Sequence, residues 1–243
     1  MFLGGQVEIG IVGFGRFGRF VAEVLKKDFA ITAYDPKIRR HPGVRFRPLA
    51  ETASKPLVIL CVPISQIGET CMRIRSLLSP GQLVIDTCSV KEEPLRRMKK
   101  ILPHSVELLG THPLFGPDSA QAGLKGLTVV LCPVRCKRIG RIKRYLLSRG
   151  LKVIIANARD HDLQMANTQA LFHFLARAIF ESGIRIGRFS TPGPTRLFAD
   201  LEHVQKDSFL LFRDLQTHNR FSAGARRRLL RHLTRLDARL KNS

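Results

Sequence analysis

Gly13-Phe14-Gly15-Arg16-Phe17-Gly18 follows directly on the apolar run Val7–Val12 and leads into a helical pattern that opens at about Arg16. Glycines at these three spacings suit a particular task. Gly13 permits a tight turn, Gly15 lets the backbone approach a pyrophosphate, and Gly18 allows the helix to pack closely. The helix N-terminus meanwhile offers unpaired N–H groups to the phosphates. At the end of the next β-rich run, about 20 residues on, stands Asp35, placed to accept hydrogen bonds from the adenosine ribose hydroxyls. This reading assigns Gly13, Phe14, Gly15, Arg16, Phe17, Gly18 and Asp35 to a dinucleotide, together with Pro63 behind the third run. NAD is favoured, because a 2′-phosphate would meet the Asp35 carboxylate, while Lys37, Arg39 and Arg40 leave NADP open.

Further along the chain the rhythm repeats. The runs Val7–Val12, Phe29–Tyr34, Leu57–Val62, Leu83–Asp86, Val106–Gly110, Thr128–Cys132 and Leu151–Ile155 alternate with helical stretches, as in a mostly parallel sheet built of βαβ units. Because the runs are continuously apolar rather than alternating, helices are expected on both faces. After Asn157 only helical patterns remain: Asp160 to Gly183, about Pro194 to Gln216, and Ser222 to Leu240. The expected architecture is a Rossmann-like doubly wound α/β domain over residues 1–156, followed by an all-helical C-terminal domain over 157–243.

The composition suits this plan. With 243 residues, 44% hydrophobic and 25% charged, the chain is neither disordered nor too small to bury a core. Its longest uncharged apolar stretch, Pro56 to Gly68, is interrupted by Pro63 and falls short of the roughly 20 residues a membrane span needs. Met1 to Gly10 shows no leader pattern, so a cytoplasmic protein is expected. The odd set Cys61, Cys71, Cys88, Cys132 and Cys136 points to reduced core thiols, and the Cys132/Cys136 pair lacks the partners for a tetrahedral metal site. The net charge of +22 draws in anions generally. Its basic clusters, Arg96–Lys100, Arg135–Arg144 and Arg226–Arg231, are interleaved with apolar residues like solvated helix faces, which argues against a nucleic-acid partner.

A dinucleotide domain alone does not say which oxidoreductase this is. Two further motifs follow strands at the carboxyl edge, where ligands bind in such sheets: Asp86-Thr87-Cys88-Ser89-Val90-Lys91, and Gly110-Thr111-His112-Pro113-Leu114-Phe115-Gly116-Pro117. With Asp118-Ser119, Asp160-His161-Asp162, the Gln169–Phe174 stretch and the Asp207–Asn219 segment, the chain resembles the TyrA family. These are the prephenate and arogenate dehydrogenases of tyrosine biosynthesis, and the likeness is to the short arogenate-type members.

The resemblance implies oxidative decarboxylation of prephenate or arogenate with NAD(P), and a homodimer joined through the helical domain. It places the catalytic base at His112, which also sits before Pro113 in an extended position after a strand. A neutral imidazole suits proton transfer near neutral pH. The family reading has Ser89 orient the substrate hydroxyl and the histidine, although Ser89-Val90-Lys91-Glu92 also fits a helix capping box. On the first helix of the second domain Gln169, His173 and Arg177 recur every four residues and stack on one face. The family places a substrate-side histidine at His173, and Arg177 has the fork geometry to clamp a carboxylate. Asp160, His161 and Asp162 read as the acidic start of that helix. The stretch Leu201–Lys206 carries no arginine where prephenate-type members have one, which speaks against prephenate specificity. Asp35 likewise stands where plant arogenate enzymes carry an NADP-suited segment. Two rivals are a β-hydroxyacid-type dehydrogenase, for which the chain lacks a lysine on the helix after the linker, and a basic nucleic-acid-binding protein on a dinucleotide fold.

Overall fold

The computed structural model describes residues 7–241, apart from the side chain at 203. The expectation about a leader rests partly on residues 1–6, which lie outside the described residues. The chain divides into two compact units, Met1–Arg159 and Asp160–Ser243.

In the first unit each of the β-rich runs forms a strand: β1 (Glu8–Val12), β2 (Ala30–Tyr34), β4 (Leu57–Leu60), β5 (Leu83–Asp86), β6 (Glu107–Pro113), β7 (Thr128–Arg135) and β8 (Lys152–Ile155). The sequence did not announce β3 (Arg45–Phe46), a two-residue edge strand on β2 flanked by arginine. The order is β3-β2-β1-β4-β5-β6-β7-β8, parallel throughout except for β6 against β7. Between β1 and β4 the winding reverses, and a ligand crevice opens at such a switch point. The sheet core is aliphatic, with Ile9, Ile11, Ile31, Ile59, Leu83 and Leu109 among its buried members. Helices α1 (Arg16–Leu25), α2 (Leu49–Ala53), α3 (Ile67–Ile74), α4 (Glu92–Ile101) and α5 (Ile139–Ser148) connect the strands.

Register levels the carboxyl edge. Val12 pairs with Leu60, Leu60 with Asp86, and Asp86 with Gly110, so the segments beyond these residues emerge side by side. Strand β6 continues past that line because β7 runs antiparallel to it, and His112 pairs with Val130 there. His112 therefore lies within the strand and not after it, as the sequence had suggested. The cross-strand ladder outlasts the pre-proline position.

The second unit comprises α6 (Ala158–Asn167), α7 (Gln169–Glu181), α8 (Pro192–Gln205), α9 (Phe209–Thr217) and α10 (Ser222–Lys241). Two stretches that read as single helices are each broken. The first breaks at Thr168, whose backbone leaves the helical region, and the second before Ser208, whose hydroxyl accepts from the Leu211 N–H and starts a fresh helix. A small core of Ala176, Leu201 and Val204 forms under Phe172, Ile179 and Phe180. Among the described residues no helix is long and apolar enough to cross a membrane. No cluster of His, Cys, Asp and Glu among them could hold a metal ion.

Several basic residues depart from the solvated-face expectation. Arg135 belongs to β7, and its guanidinium donates to the carbonyls of Val106 at 2.7 Å and Pro103 at 2.8 Å. Arg226 donates to Gln216 Oε1 at 2.6 Å. Such an arginine is consumed in fastening elements together and adds little to an outward-facing basic surface.

Candidate active site

Strand β1 ends at Val12, and the chain must turn within three residues to enter α1. Gly13 does this with φ +92°, and a Cβ there would meet the Cys61 carbonyl oxygen at 2.5 Å. At Gly18 a Cβ would run into the Gly13 carbonyl oxygen. Gly15 differs, since a Cβ there would meet nothing within 4 Å. It caps α1 without any side-chain hydrogen bond, and no acidic residue sits in the first turn. Open space at Gly15, ahead of a helix whose own first turn carries no acid, fits a pyrophosphate.

The flanking residues divide their work. Phe14 is 0% exposed and packs edge-on against Phe46 and His41, so its side chain supports the turn from within and cannot touch a ligand. Phe17 stacks near Phe20 and lines the apolar hollow between the sheet and helices α1 and α5. Arg16 is ion-paired with Asp118 of the β6–β7 loop. Pro63 stands half-buried just past β4, leading into a short 3-10 turn.

Asp35 does more than the sequence suggested. One carboxylate oxygen accepts the Phe14 N–H at 2.8 Å, and the other accepts those of Lys37 at 2.8 Å and Ile38 at 3.0 Å. Burial raises the cost of its charge, but the three N–H groups outweigh it and hold the carboxyl below its usual range. The acid that would take the ribose hydroxyls is thus also a tie across the glycine turn.

Ser89 and His112 occupy neighbouring positions beyond the level edge, on the β5–α4 connection and on β6. The capping-box reading of Ser89 is overturned: α4 begins at Glu92, its N-cap position is Lys91, and no side chain caps it. Ser89 is half-buried, three residues short of the helix. His112 is 2% exposed. Thr111 and Pro113 line the hollow on the α1/α5 face, while Gly110 faces Leu95 of α4. Alternation along the strand therefore puts His112 on the α4 face. From the glycine turn to β6 is three strand spacings, about 14 Å, a distance for an extended ligand to span.

Beneath them lies a feature that the sequence reading quoted but gave no role. Lys91 and Asp86 are both fully buried and ion-paired. The Lys91 ammonium also donates to the Thr111 carbonyl at 2.7 Å, and the Thr111 hydroxyl donates to the Asp86 carbonyl at 2.7 Å. Burial pushes the Asp86 carboxyl up, against the pull of the Lys91 charge. The only signal in the sequence was an acid five residues before a lysine in an otherwise uncharged loop.

In the helical unit α7 carries Gln169, His173 and Arg177 on one face. Gln169 Oε1, His173 Nδ1 and Arg177 Nε are buried and make no hydrogen bond among the described residues. Buried polar groups are rarely left so. Arg177 is not a solvated-face residue, because it donates to the Asp207 carbonyl at 3.1 Å and lies over the rings of Phe209 and Phe212. Asp160, His161 and Asp162 lie in the opening turns of α6, as the sequence suggested, and His161 and Asp162 form a buried pair at 2.7 Å, with Asn219 donating to the Asp162 carbonyl.

His173 is 5% exposed, and burial together with the Arg177 charge brings its pKa from 6.5 to about 4. A folded-state value below the unfolded one means that only the unfolded chain binds the proton between these limits. Its contribution to stability is complete above pH 6.5 and drains away as the pH falls toward 4. The full loss is about 3 kcal/mol. Denaturant unfolding of the protein and of His173→Gln at a series of pH values should show the acid slope shallower in the variant. Equal slopes would refute it.

Residues 45–155 match the family model described as prephenate dehydrogenase, nucleotide-binding domain. Two curated relatives from Arabidopsis thaliana are similar over most of this chain. Arogenate dehydrogenase 1, chloroplastic, is 27% identical over 89% of this chain and 36% of its own length. Arogenate dehydrogenase 2, chloroplastic, is 28% identical over 88% of this chain and 64% of its own. The chain thus spans between a third and two thirds of the length of these relatives. Among solved structures, a prephenate dehydrogenase from A. aeolicus in complex with hydroxyphenyl propionate and NAD+ superposes with a TM-score of 0.75 at 23% identity, covering 100% of this chain and 94% of that one. At that identity the likeness speaks for the fold.

Proposed function

We propose that the chain, whose residues 45–155 match the model of the prephenate dehydrogenase nucleotide-binding domain, is a member of the TyrA family and oxidatively decarboxylates prephenate or arogenate, to 4-hydroxyphenylpyruvate or tyrosine, with NAD(P). The observation that carries the reading is the placement of His112 and Ser89 on adjacent segments of the same sheet edge as the open glycine turn.

Gly15 and the first-turn N–H groups of α1 would hold the pyrophosphate, and Asp35 the ribose. NAD, when bound, supplies the hydride acceptor. His112 takes the proton of the ring hydroxyl as hydride leaves the carbon that bears it. Ser89 holds that hydroxyl in line with the imidazole. As carbon dioxide departs, the electrons of the ring–carboxylate bond enter the ring, and the phenol oxygen regains a proton. In the helical unit we assign Gln169, His173 and Arg177 to substrate contact, a role supported by their unsatisfied buried atoms. Asp35 favours NAD over NADP. A homodimer through the helical unit is supported by the exposed row Leu230, Leu233, Leu236 and Leu240 on α10, whose spacing makes one apolar stripe.

The test is direct. The purified protein is given prephenate or arogenate with NAD or NADP, and the appearance of reduced cofactor is followed. Turnover with at least one pairing is expected, with NAD preferred. Four silent pairings from folded protein would overturn the proposal.

A further inference from the structure

A fully buried ion pair is weak evidence for stability, because taking both charges out of water costs about as much as their attraction returns. The Lys91–Asp86 pair therefore calls for another account, and its partners supply one. The Asp86 carboxylate holds its own connection in shape by accepting the Cys88 N–H at 2.9 Å, as well as pairing with Lys91. Its second oxygen, Oδ2, is buried without a hydrogen bond and would stand 3.2 Å from a Cβ on Gly110. From the far end of the same connection Lys91 crosses to β6 and donates to the Thr111 carbonyl. That carbonyl belongs to the peptide whose nitrogen is His112's own. The Thr111 hydroxyl returns the link to the Asp86 carbonyl. One ammonium thereby fastens the segment bearing Ser89 to the peptide bearing His112.

We infer that Lys91, charged and paired with Asp86, is a positioning residue that fixes the His112 backbone relative to the Ser89 loop. The inference rests on the reading of His112 as base. It requires no contact between Lys91 and any ligand. A misplacement of the order of 1 Å at a reacting group costs about 100-fold in rate, so a tether of this kind matters even though it is remote from the chemistry. It also accounts for a buried charge where an apolar side chain would pack.

Lys91→Met alone would strand the Asp86 carboxylate in the interior and fold poorly. The informative variant is therefore the pair Asp86→Asn with Lys91→Met, which removes both charges. It is expected to fold, with thermal unfolding close to the parent's and NAD affinity, read by titration, unchanged within about twofold. Its kcat should fall by about 10- to 100-fold with KM little altered. Introduced into His112→Asn, the same pair should cost almost nothing more, since a group that acts through His112 has nothing left to position. Undiminished kcat in the folded pair variant would overturn the inference, and so would an equal loss in the His112→Asn background. Should His112→Asn itself turn over normally, the base reading fails, and this inference with it. An inactive His112→Asn beside a fully active pair variant refutes the inference alone.

Discussion

His112→Asn is expected to lower kcat by about 100-fold or more, the usual scale for removing a positioned base, while the protein folds and binds NAD as before. Asparagine keeps a polar group at the site and cannot accept a proton near neutral pH. The backbone there is held by the antiparallel ladder to Val130 and by the Lys91 tie to the preceding carbonyl, neither of which depends on the imidazole. The loss should therefore fall on kcat, and on kcat/KM in like measure, as when an interaction confined to the transition state is removed. A second readout guards against a steric explanation. The parent's kcat/KM should fall on the acid side as the base takes up a proton, and that limb should vanish in the variant. Near-parental turnover, or an acid limb left intact, would show that the proton goes elsewhere.

How far this site was visible beforehand depends on which physical signal each part carries. The glycine turn was legible because its requirements are local: a positive φ at Gly13 and close packing at Gly18 are met by glycine alone. The sheet was legible for a similar reason, since parallel strands covered on both faces read as continuous apolar runs. Strand β3 was not, because two residues, one of them an arginine, leave no pattern. Helix breaks at Thr168 and before Ser208 escaped because helical periodicity continues across them and only the local cap differs. Phe14 was read as facing a ligand and its ring proved to pack inward, while Asp35 has the added duty, invisible in the sequence, of bonding to the turn. Lys91 was hidden most deeply. A lysine just ahead of a helix suggests solvent, and what buries it is the Thr111 carbonyl across the sheet, a partner 20 residues away.

Gly15→Ala and Gly13→Ala, compared side by side, should separate the two duties of the turn. At Gly13 alanine meets both an unfavourable φ of +92° and the Cys61 carbonyl. The backbone strain alone is worth about 1–3 kcal/mol. The expected result is a clear loss of stability with or without cofactor, and poor binding as a consequence of a displaced turn. At Gly15 the backbone lies at φ −65° and ψ −164°, accessible to alanine, and the space ahead of its Cβ is empty. Stability should therefore hold to within about 0.5 kcal/mol. The methyl group would instead stand in the concavity assigned to the pyrophosphate, so NAD should bind at least about tenfold more weakly, a change of about 1.4 kcal/mol. Chemical denaturation without ligand and NAD titration measure the two effects independently. A stable Gly15→Ala that binds NAD as tightly as the parent would mean that the cofactor does not lie across this turn, whatever the family likeness.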